Sequence, residues 1–93
     1  ATFDRHIARN EIPVLVDFWA PWCGPCRRVV PLIEEIAEER SDIKVAKINV
    51  DEEQELAAEF RVMSIPTLMV IKNGKVTSSA VGARPKSQIL AML

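Results

Sequence analysis

Cys23 and Cys26 are the only two cysteines among 93 residues, and Gly24 and Pro25 separate them. Two sulfurs this close can exchange a bond between themselves for a bond to an outside sulfur, the chemistry of thiol–disulfide exchange. A bridge between them closes too small a loop to add much stability, so the spacing points to reactivity. A structural disulfide and half of a zinc site are the other readings of such a pair. Zinc wants four ligands, and His6 is the one further soft candidate in the chain. It stands in a charged stretch and reads as a solvated surface residue.

The elements around the pair must present it. Pro13 opens Val14-Leu15-Val16-Asp17-Phe18-Trp19, a β-branched and aromatic run without polar alternation, as expected of a central strand covered on both faces. Asp17 is the exception within it. Behind the pair, Val29, Leu32, Ile33, Ile36 and Ala37 recur at helical spacing against Arg27, Arg28, Glu34, Glu35, Glu38 and Glu39, which predicts an amphipathic helix to about Arg40. Pro31 lies inside it and is expected to bend the helix without breaking it. A strand ending near Ala20 and a helix starting near Cys23 put that cysteine at a helix N-terminus. There, unpaired N–H groups and the helix dipole favour a thiolate and lower the thiol pKa from its usual value of about 8.5. Cys23 is the expected nucleophile, with Cys26 one turn on. Gly24 permits a tight approach, and Pro25 fixes φ in a turn that needs no donor from it.

Elsewhere, Phe3 and Ile7 predict a short first helix over Thr2 to Arg9, stopped at Asn10. Ile43 to Val50 alternates as a second strand, with Lys47 on the face of Val45. Asp51 as N-cap and Gln54 as its reach-back partner precede a short helix carrying Leu56, Ala57 and Phe60. Thr67–Ile71 and Val76–Val81 flank Lys72-Asn73-Gly74-Lys75, whose Asn-Gly is the preferred pair of a type I′ hairpin turn. Pro85 precedes a final helix through Ile89, Leu90 and Leu93 that ends with the chain. A parallel βαβ unit followed by an antiparallel pair gives an α/β fold, one mixed sheet with helices on both faces, in a single domain over residues 1–93. Trp19 reads as core, and Trp22, in a loop beside the nucleophile, as a contact residue.

Twelve basic and thirteen acidic side chains leave a formal charge of -1, without a basic stripe or polybasic tail. Nucleic acid and membrane are therefore excluded as expected partners. Ala1 to Asn10 carries interspersed charge and no apolar core of a signal peptide, the missing initiator Met suggests a trimmed chain, and the expected compartment is the cytoplasm.

Val16-Asp17-Phe18-Trp19-Ala20-Pro21-Trp22-Cys23-Gly24-Pro25-Cys26 resembles the active-site segment of the thioredoxin family. Ile65-Pro66-Thr67, Lys72-Asn73-Gly74 and Val81-Gly82-Ala83 follow in the family's order, so the resemblance covers nearly the whole chain. It implies a thioredoxin fold and a protein-disulfide reductase in cell redox homeostasis, with no cofactor beyond a redox-active Cys23–Cys26 disulfide. Cys23 would attack and Cys26 would resolve the mixed disulfide. Asp17 would be the buried carboxylate beneath Cys26, its pKa raised by desolvation so that it takes the resolving thiol's proton, with Lys47 as the neighbouring cation. Pro66 would be cis, the Ile65 backbone would pair with the substrate chain, and Trp22, Gly24, Pro25, Gly82 and Ala83 would form the docking groove. The implied partners are disulfide-containing proteins and a thioredoxin reductase.

Three departures stand out. The family's first strand is missing or very short, which would leave the edge along Ile43 to Val50 bare and open to dimerisation of an otherwise monomeric protein. The final helix is abbreviated. Arg27 and Arg28 replace one basic and one apolar residue, and bear on partner choice. The alternatives are a non-redox binding or assembly subunit on the same fold, and an oxidase or isomerase. Gly-Pro between the cysteines resembles the reducing branch.

Overall fold

The computed structural model describes residues 12–93. The expected first helix, His6 and any covering of the sheet edge by the first residues lie outside them. The organising strand is β1, Val14–Trp19, buried along nearly its whole length. It is hydrogen-bonded on both sides, parallel to β2 (Lys44–Asn49) and antiparallel to β3 (Thr67–Lys72). β4 (Lys75–Val81) completes a mixed sheet in the order β2-β1-β3-β4. A strand with neighbours on both edges and helices on both faces has no side left for water, which explains its unbroken apolar run.

Among the described residues three helices cover the sheet: α1 (Cys26–Glu39), α2 (Gln54–Glu59) and α3 (Lys86–Leu90). Successive β1 side chains point to opposite faces. Val14, Val16 and Phe18 pack with Ile48, Met69, Ile71 and Leu56 of α2. Leu15 packs on the other face with Val29, Ile33 and Ile36 of α1, Leu68, Val70 and Ile89 of α3. The hairpin closes as the Asn-Gly pair predicts, with φ of 53° at Asn73 and 77° at Gly74, the two positive values of a type I′ turn. No helix among the described residues is long and apolar enough to cross a membrane.

Several boundaries differ from the sequence expectation. α1 begins at Cys26, three residues after Cys23, because the Gly24-Pro25 pair forms a turn closed by the Arg27 and Arg28 amides on the Gly24 and Pro25 carbonyls. It runs unbroken through Pro31. Ala37 is exposed, since a residue following Ile36 is turned about 100° off the buried stripe. Asp51 is not the cap of α2: Glu53 holds that position without a side-chain bond. Asn49 braces the turn instead, its Oδ1 accepting the Asp51 amide and its carbonyl accepting those of Glu52 and Glu53. Gln54 does reach back, but to the Asp51 carbonyl. α3 stops at Leu90, short of the chain end.

Ile33 is fully buried where α1 meets the sheet. Ile33→Ala should lower stability by about 2–5 kcal/mol through the lost transfer energy and the cavity left behind, read as a fall in the urea midpoint at unchanged slope.

Candidate active site

The end of β1 leads into a tight loop in which the Cys23 amide donates to the Ala20 carbonyl at 3.1 Å. Cys23 and Cys26 are joined by a disulfide. The Cys26 amide, at the first position of α1, donates to Cys23 Sγ at 3.2 Å. The sulfur therefore sits just ahead of the helix and receives one of its free N–H groups, so the electrostatic benefit expected of a helix N-terminus is kept although the helix starts later. Both cysteines are buried, Cys23 at 5% exposure and Cys26 at 1%, so Cys23 is the more accessible of the two. Gly24 and Pro25 are exposed above them. A Cβ on Gly24 would meet nothing within 4 Å, so no contact inside this chain demands a glycine there; the open space faces outward.

The third stretch arrives from before β3. The Ile65-Pro66 peptide is cis, and the Ile65 carbonyl oxygen lies 3.8 Å from Cys23 Sγ. The Pro66 carbonyl accepts the Gly82 amide at 2.8 Å, which fastens the fourth stretch, at the end of β4, to the same rim. Gly82 has φ of +96°, a conformation side chains with a Cβ rarely adopt. Ala83 beside it is exposed.

Trp22 is 68% exposed, and its indole Nε1–H donates to Asp51 Oδ2 at 2.8 Å. This bond ties the cysteine loop to the segment between β2 and α2. Trp22, Val62, Met63, Ser64 and Ile65 border a cleft of about 330 Å³ that opens beside Cys23's neighbour Ile65. Met63 is 94% exposed on its rim.

Asp17 lies on the face of β1 covered by α1, the helix that starts at Cys26. It is fully buried, and neither carboxyl oxygen has a hydrogen-bond partner. Burial pushes its pKa up from 3.8 to about 6, with the Lys47 ammonium pulling the other way. Lys47 is its partner in the β1–β2 register, yet its Nζ donates to Glu34 Oε1 at 3.2 Å and the side chain is 40% exposed. Lys47 thus belongs to the surroundings of Asp17 and not to the sulfur rim. Arg27 and Arg28 are exposed, Arg27 Nη2 donating to the Pro21 carbonyl at 3.2 Å.

The site draws in two residues that the sequence assigns elsewhere. Asp51 has the pattern of a helix cap, and only the fold brings it to Trp22, 29 positions away. Glu34 is one of several acids on a solvated helix face, and nothing in its spacing marks it as the partner of Lys47. Exposed apolar Met63, two residues before the Ile65-Pro66 pair, offers a weak signal by its composition alone.

Two sulfurs that can open and reclose a bond beneath an exposed two-residue turn, next to the Ile65 carbonyl, make this a dithiol–disulfide oxidoreductase. The comparisons agree. The family model described as "Thioredoxin" matches residues 1–93. The thioredoxin of Pyropia yezoensis is 53% identical over 94 residues, covering the whole chain and 88% of the relative. Thioredoxin 1 of Synechococcus elongatus is 51% identical over 90 residues, or 96% of the chain and 84% of the relative, and the thioredoxin of Haemophilus influenzae is 49% identical with the same coverage. The chain belongs to the thioredoxin family.

Asp17 also makes stability depend on pH. In the unfolded chain it ionises from its ordinary value, 3.8, whereas in the fold it keeps its proton up to about 6. The folded state thus binds more protons in that window, and stability falls as pH rises through it. Asp17→Asn should therefore stabilise the oxidised protein on the order of 3 kcal/mol at pH 7.5, with the gain vanishing below pH ~4; denaturant titrations at the two pH values check it.

Proposed function

We propose that the protein is a reductase of protein disulfides. The single observation that carries this reading is the asymmetry of the sulfur pair: Cys23 is the more accessible sulfur and receives the Cys26 amide, while Cys26 is sealed at the start of α1, the helix that covers the sheet face carrying the unpartnered Asp17 carboxyl. The Cys23 thiolate attacks one sulfur of a substrate disulfide; a mixed disulfide forms and the other substrate sulfur leaves as a thiolate, taking up a proton. Asp17 accepts the Cys26 proton, and the Cys26 thiolate attacks Cys23 Sγ, releasing the second substrate thiol and closing the Cys23–Cys26 bond. Two electrons pass to the substrate. A thioredoxin reductase returns them, so the pair carries electrons without any added cofactor and serves cell redox homeostasis.

The substrate chain docks in extended form against the Ile65 backbone beside Pro66, over Gly24, Pro25, Gly82 and Ala83, with Trp22 closing one side. Lys47 modulates Asp17. The protein works as a one-domain monomer in the cytoplasm, where glutathione and its own reductase keep dithiols reduced.

Mixing Cys26→Ser with disulfide-bearing proteins should freeze covalent complexes on Cys23, visible without reductant, and Cys23→Ser should form none. Absence of any complex, or full biological activity of Cys23→Ser, would favour a non-redox binding subunit. Equilibration with glutathione should give a potential well below the roughly -180 mV of a disulfide isomerase, and a value near that figure would indicate an oxidase or isomerase. Asp17→Asn should leave the first attack intact and slow resolution by about 10–100-fold, measured by stopped flow on a preformed mixed disulfide.

A further inference from the structure

Lys47 and Asp17 are register partners, so their side chains rise from the same face of the sheet, the one α1 covers. From α1, Glu34 Oε1 meets the Lys47 ammonium at 3.2 Å. A carboxylate that close turns the cation's field into that of a dipole, which weakens faster with distance than a lone charge. Asp17 has no hydrogen bond to either oxygen, so only burial and the surrounding field decide when it holds a proton.

Few other charges compete for this role among the described residues. Glu35 and Glu39 are both engaged by Lys86, at 2.9 and 2.7 Å. Glu38 is exposed one turn beyond Glu34, and Arg27 and Arg28 are exposed at the start of α1. Glu52 and Glu53 border the cleft on the far side of Lys47, next to Trp19. On β2, Lys44 alternates to the opposite face, and β3 offers only apolar Leu68 across from Asp17. In the reduced protein the Cys23 and Cys26 thiols are the remaining ionisable groups at that end of α1.

We propose that Glu34 is a positioning residue for the proton step: by pairing with Lys47 it compensates the ammonium, so that Asp17 stays basic enough to take the proton of the buried Cys26 thiol. This rests on the reading of Asp17 as the proton acceptor. Without Glu34, Asp17 feels the whole cation, ionises earlier and becomes a weaker base.

The test is a ¹³C NMR titration of the Asp17 carboxyl in the oxidised protein, where neither sulfur titrates, for wild type, Glu34→Gln, Lys47→Met and the double variant. Glu34→Gln should lower the Asp17 midpoint by roughly half a pH unit, and Lys47→Met should raise it. The double variant should coincide with Lys47→Met, because Glu34 acts through Lys47. Above pH 7, where Asp17 is ionised with or without Glu34, Glu34→Gln should resolve a mixed disulfide about twofold more slowly, in step with the weaker base. An unmoved or raised midpoint in Glu34→Gln, or the same shift with and without Lys47, overturns the proposal. Midpoints that move as expected alongside an Asp17→Asn variant that resolves at the wild-type rate overturn instead the proton role on which it rests.

Discussion

A carboxyl without a hydrogen-bond partner, fixed in the middle of a strand buried on both faces, is the constraint on which the rest of this protein turns. β1 has to be apolar to sit between β2 and β3 and beneath two layers of helix, and every other position obeys. Asp17 obeys only by keeping its proton to about pH 6. The same burial that makes the fold's centre dry raises this carboxyl's pKa towards neutrality, so its cost to stability and the proton role proposed for it have one source.

The two sulfurs are held unequal by equally simple means. A two-residue turn places Cys26 as the first residue of α1, with its side chain in the interior and its amide on Cys23. At the rim the Pro66 carbonyl is occupied by the Gly82 amide, and the Ile65 carbonyl stays beside Cys23 Sγ. The proposed docking through backbone would be tolerant of substrate sequence and would leave selectivity to exposed side chains such as Arg27, Arg28 and Trp22, the last held by Asp51.

Local patterns in the sequence announced what local forces decide. The apolar run of β1, the helical spacing of Val29, Ile33 and Ile36, and the Asn73-Gly74 turn each carry their own signal, and the structure follows them. The start of α1 was less legible because Gly24-Pro25 can begin a helix or make a turn before one, and the competition is settled by the Arg27 and Arg28 amides. Asp51 was misassigned for a related reason: a short acid after a strand has the chemistry of a cap, and a tryptophan 29 residues away claimed it. That the segments of Pro66 and Gly82 meet beside Cys23, and the role proposed for Asp17, are legible only through the family resemblance, since no periodicity tells which distant segments will meet at the end of a sheet. Glu34 was beyond both routes, one acid among many on a solvated helix.

The Asn73-Gly74 turn lies at the opposite end of β3 from Pro66, and β3 is six residues long. At strand rise that is roughly 20 Å of rigid, hydrogen-bonded sheet between the turn and the sulfurs. Lys72 and Lys75, both exposed there, are therefore natural anchor points for a dye, a surface or a fused partner: a load attached at that end leaves the docking rim free and lies beyond a Debye length of the reacting pair.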